Sequence, residues 1–213
     1  MSAVANLLAF LGLLAALLTV WRQSHQGRLR LLVAQALLLA VMAAAIAVLS
    51  GHRSLLGVAV ACAIIKAVVI PRALGRMAVG SPPRPVAPGR SVGGALLIAG
   101  ALVVVSYVIM LPVTQVTTLP TAGALPLAFA VALIGLFVCV TGRDAFTHVL
   151  GFLVFENGVF GLALLGAYGL PLLVEVGVFL DVLVIVLIME GMVVEIRREH
   201  ASIDVDRLRE LRG

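Results

Sequence analysis

The sequence predicts an all-α integral membrane protein of about seven transmembrane helices, with its N-terminus outside and its C-terminus inside. Three observations predict it. The chain is 62% hydrophobic and 12% charged, where a soluble domain carries about 45–50% apolar and about 25% charged residues. Its apolar residues run in blocks of about 18–26, long enough to cross a hydrocarbon core. Arginine gathers on alternate connections between those blocks, the pattern by which Lys and Arg stay on the cytoplasmic side.

The blocks fall near 3–21, 29–49, 54–79, 92–112, 123–141, 145–167 and 170–195. No basic residue precedes the first, and Trp21-Arg22 follow it, so it is expected to stay as a span rather than be cleaved as a signal. The next connection carries Arg22, Arg28 and Arg30; the third carries Arg72, Arg76, Arg84 and Arg90. Arg143 lies on the fifth, and Arg197, Arg198, Arg207, Arg209 and Arg212 in the tail. The alternate connections contribute only Arg53.

The third connection includes SPPRPVAPGR, a proline-rich stretch unable to continue a helix. It divides the chain into a three-span part at 1–80, a linker at 81–91, a four-span part at 92–196 and a tail at 197–213. Lys66 lies 36 residues after Arg30, and Asp181 lies 38 after Arg143. That spacing suggests a parallel three-helix repeat, with spans one to three matching five to seven. In the fifth block Ala128, Ala132, Gly135, Cys139 and Gly142 recur at spacings of four and three. With Gly151 and Gly158 in the sixth, they form flat faces on which two helices can approach closely.

The ionisable residues of the spans carry the chemistry. A carboxylate at mid-bilayer costs roughly 2.5–3.5 kcal/mol on insertion scales, so each is expected to face protein or water. Glu156 sits mid-span, followed by Asn157 and Gly158, which offer an amide partner and room beside the backbone. Asp181 sits at similar depth in the last span, with Glu175 toward its outer end and Glu190 toward its inner end. At 100° per residue Glu175 and Glu190 lie about 60° apart, while Asp181 points elsewhere. Such a spread suits a lateral relay between helices better than a straight pore. Lys66 is the one cation expected inside a span, five residues before Pro71, whose missing N–H loosens the turn before it. Pairing with Asp181 or Glu156 is expected, as a structural contact or as a proton-relay pair.

Other chemistry is not expected. Cys62 and Cys139 lie within apolar runs, and His25, His52, His148 and His200 fall at span ends or in connections. Neither set has metal or haem spacing, so no metal and no cofactor are expected. The net charge of +5 is an orientation signal, not a nucleic-acid footprint. With no nucleophile or dinucleotide motif, the chain is not expected to be catalytic alone.

GFLVFENGVFGLALL, LVEVGVFLD, the basic end and the tail ASIDVDRLRELRG together resemble hydrogenase-4 component E. That family comprises membrane subunits of group 4 hydrogenase and formate hydrogenlyase-type complexes. KAVVIP, with Lys66 and Pro71, is similar to its N-terminal half. The three-helix unit 123–196 further resembles the K subunit of respiratory complex I. The resemblance implies a non-redox subunit of the inner membrane of a prokaryote, with a cytoplasmic C-terminus. Antiporter-like membrane-arm subunits and a hydrogenase-like peripheral arm would be its partners. Glu156 and Asp181 would correspond in depth to acids of the K subunit, although there the acid precedes the asparagine by about one turn. A different class of function is a stand-alone secondary transporter, with Lys66 and the acids forming its substrate site.

Overall fold

The computed structural model of the chain describes residues 2–50, 57, 60, 64–72, 74 and 91–166, nearly all of them helical. In order they form α1 (Ser2–Trp21), α2 (His25–Ser50), a π-turn (Ile65–Val69), α3 (Val92–Val116), a 3₁₀ turn (Ala122–Ala124), α4 (Leu125–Thr141) and α5 (Ala145–Gly166). Five described helices are long and apolar enough to cross a membrane. The chain is an all-helical, multi-pass membrane protein. The block at 170–195, with Glu175, Asp181 and Glu190, lies outside the described residues, as does the tail.

Two helical hairpins make the core. In one, α4 and α5 pack along each other; in the other, α1 packs on α2. The hairpins join through α1 against α4 and α2 against α5, while α3 lies outside on α4. The α4 and α5 spans are the most buried and the α3 span the least.

Both hairpins turn in the same way. Arg22 N donates to Leu18 O at 2.8 Å, and Gly142 N to Val138 O at 2.9 Å. Arg28 N then donates to Ser24 O at 3.0 Å, and His148 N to Asp144 O at 3.1 Å. The residue before each second helix is its cap. Ser24 Oγ accepts from Gly27 N at 3.3 Å, and Asp144 Oδ2 accepts from Thr147 N at 2.9 Å, each satisfying an N–H that a helix start leaves open. The Ser24 cap explains why α2 begins at His25 rather than near residue 29, taking Arg28 into its first turn.

The two turns meet. Arg28 Nη1 donates to Thr147 Oγ1 at 3.2 Å, its Nε donates to Arg22 O at 2.6 Å, and the His25 ring stands edge-on to Phe146 with centroids 4.4 Å apart. The two basic turns therefore share one face of the bundle. At α3, the helix continues beyond Pro112 to Val116 instead of ending there. Proline removes only its own N–H from the ladder, and Thr117 N closes the end on Val113 O at 3.0 Å.

Candidate functional site

The site grows out of the close approach of α4 and α5. A Cβ built on Gly135 would land on the backbone of Val154 and Phe155, one on Gly151 on Val138 and Cys139, and one on Gly158 on Ala132. These three glycines interlock the helices backbone to backbone, an attraction that survives in lipid where the hydrophobic effect does not. Gly142 falls in the turn instead, where an added Cβ would meet Thr147 and His148 of α5 at 3.1–3.2 Å. The interlock holds Glu156 and Asn157, immediately before Gly158, in protein rather than lipid. They are 2% and 5% exposed.

Lys66, 4% exposed, meets them from the π-turn. Its Nζ donates to Glu156 Oε1 at 2.9 Å and to Asn157 Oδ1 at 3.1 Å, and lies 5.5 Å from the centroid of the Phe160 ring. Carboxylate, amide oxygen and aromatic face are the three environments that compensate a desolvated ammonium. Glu156 stands eleven residues into α5, about 16 Å from its start at 1.5 Å per residue. The ion pair is thus at mid-span. The π-turn closes with Ile70 N donating to Ile65 O, directly before Pro71, whose ring nitrogen cannot continue the ladder. A wider turn is a common device for aiming a side chain at a functional site.

Of the two partners expected for Lys66, the structure brings Glu156 to it; Asp181 lies outside the described residues. Asn157, expected beside Glu156, serves the lysine. No cluster suited to a metal ion occurs among the described residues.

Sequence reasoning passed over Gln35. It is 2% exposed and donates from Nε2 to Gly12 O at 2.9 Å, tying α2 to α1. Its signal was available, since it is a lone amide in the apolar run LLVAQALLLAVM. Ser106 is a second omission. Its buried Oγ lies 3.0 Å from Pro126 O and fastens α3 to the start of α4.

No family model matches the chain, and no solved structure matches it. It is 36% identical over 202 residues to the uncharacterized protein Rv0085 of Mycobacterium tuberculosis, covering 93% of this chain and 91% of the relative. It is also 35% identical over 105 residues to hydrogenase-4 component E of Escherichia coli K12 and of Shigella flexneri, covering 47% of this chain and 49% of each relative.

Proposed function

The chain belongs to the family of the mycobacterial protein Rv0085, and on that premise we propose that it is a non-redox membrane-arm subunit of a hydrogenase-like assembly, in which Lys66 and Glu156 relay protons. The similarity to hydrogenase-4 component E over about half of each chain supports the assembly. The buried Lys66–Glu156 contact of 2.9 Å is the observation that carries the relay.

An ion pair of this kind has a low-cost move. Transfer of one proton from Lys66 Nζ to Glu156 Oε1 breaks an N–H bond and forms an O–H bond. It leaves an amine and a carboxylic acid, and the net charge of the pair stays zero. In a medium of low dielectric this neutral pair competes with the charged one, because separated charges are costly there. The amine can then take a proton from one neighbour and the acid release one to another, restoring the pair after one net transfer. Glu175, Asp181 and Glu190 are the proposed further carriers. Antiporter-like subunits on one side and a hydrogenase-like peripheral arm on the cytoplasmic side would supply and receive the protons. The subunit itself would hold no cofactor and would sit in the inner membrane with its C-terminus cytoplasmic.

Glu156→Gln tests this, because the amide keeps shape and accepts from Lys66 but cannot accept and release the proton. In the assembled complex, coupled proton movement across vesicle membranes should fall at least tenfold while the subunits still co-purify. Unchanged proton movement would refute the relay. Proton-coupled substrate uptake by the single purified chain in liposomes would instead favour a stand-alone transporter.

A further inference from the structure

Beside the ion pair lies a cavity of about 30 Å³ where four helices meet. Its walls include Gly12 of α1, Gln35 and Met42 of α2, and Asn157 and Gly161 of α5. An apolar cavity of this size would stay dry, and most of the wall is apolar. Two groups make the difference. The carbonyl of Gly12 can only accept, so the Gln35 atom facing it is the amide nitrogen, and the acceptor Oε1 is left over. That oxygen is buried and has no hydrogen-bond partner among the described residues. Leaving such an acceptor unmet costs about 1–3 kcal/mol. Asn157, its Oδ1 occupied by Lys66, brings amide N–H donors to the same cavity.

We infer that the cavity is a water site, in which a water donates to Gln35 Oε1 and accepts from the Asn157 amide. The volume suffices, since a water takes about 30 Å³ in the liquid and needs roughly 10–15 Å³ of accessible space. The consequence rests on the proposed relay. The water extends the polar chain from Lys66 and Asn157 across to α2, so that Gln35 positions a water bordering the ion pair. The ligand is water itself, held by one acceptor and one donor.

Met42 offers a direct probe, because it lines the cavity and is only 3% exposed. Hydroxyl radicals generated from bound water by X-ray radiolysis oxidise a neighbouring methionine despite burial. In the complex purified in mild detergent, Met42 should be oxidised readily. Gln35→Leu, which removes the acceptor, should lower that rate at least fivefold. Gly161→Ala should do likewise, because its Cβ would enter the space at 3.4–4.0 Å from Ala128, Leu39 and Met42 without touching Gln35 or Asn157. An inert Met42 in the unmodified complex, or equal oxidation in all three proteins, would overturn the water site. Lowered oxidation in both variants with undiminished proton movement would overturn its link to the ion pair. Glu156→Gln separates the two ideas: it should suppress proton movement while leaving Met42 oxidation as it was.

Discussion

The hairpins α1–α2 and α4–α5 use the same turn, yet they are built for different loads. Helix α5 presses glycines against the backbone of α4, and at mid-depth it carries a carboxylate held by a lysine. In α1–α2 the glycine of the first helix, Gly12, has open space where a Cβ would stand, and the buried polar group of the second is a neutral amide. Close backbone packing leaves the α4–α5 seam little freedom, which is what a charged pair requires. An ion pair at low dielectric is tolerable only while its geometry is held. A neutral amide with one bond made tolerates a looser seam and room for water. The rigid hairpin carries the charge, and the looser one borders it.

The largest effect that would break this comparison comes from the ion pair. Lys66→Met leaves Glu156 facing Asn157 without its cation and should destabilise the subunit by about 3–5 kcal/mol. Replacing both, as Lys66→Met with Glu156→Met, should recover most of that loss. Unfolding in a denaturing detergent measures the cycle, and additive losses would mean the two side chains do not interact.

Next in size is the seam. Gly151→Ala places a methyl on the backbone of Val138 and Cys139 and should cost about 1–3 kcal/mol as the helices are forced apart. Gly12→Ala should cause no loss of melting temperature, since nothing lies within 4 Å of the added carbon. Equal responses at the two sites would erase the distinction between the hairpins.

The smallest effects are at the shared turn. Asp144 accepts twice from Thr147, from N at 2.9 Å and from Oγ1 at 2.7 Å, so Asp144→Ala should cost about 1 kcal/mol. Ser24→Ala removes a longer, exposed bond of 3.3 Å and should cost about 0.5 kcal/mol, at the low end of such caps. Thermal melts of the two variants would rank them, and a larger loss at Ser24 would mean that the first turn, not the second, anchors that face.

Much of the site could be read before any coordinates. A charge inside an apolar run stands out without knowledge of its neighbours, which is why Lys66 and Glu156 were both legible. Gly135, Gly151 and Gly158 were legible for a similar reason, since small residues at spacings of four, three and seven lie on one helical face whatever packs on it. Gln35 was not weighed, because an amide costs less in lipid than a charge and so draws less notice.

The sequence alone determined that the chain is helical, that it crosses a membrane several times, and which residues are too costly to face lipid. Those properties follow from local composition and period. Only the tertiary structure decided that Lys66 meets Glu156 and Asn157, that Gly142 serves the turn, and that Gln35 borders the cavity beside the pair. Each of these depends on the rotation and depth of one helix against another. Several acids at similar depth are equivalent in a linear sequence, and it is the glycine seam and the π-turn before Pro71 that bring one carboxylate to 2.9 Å from the lysine.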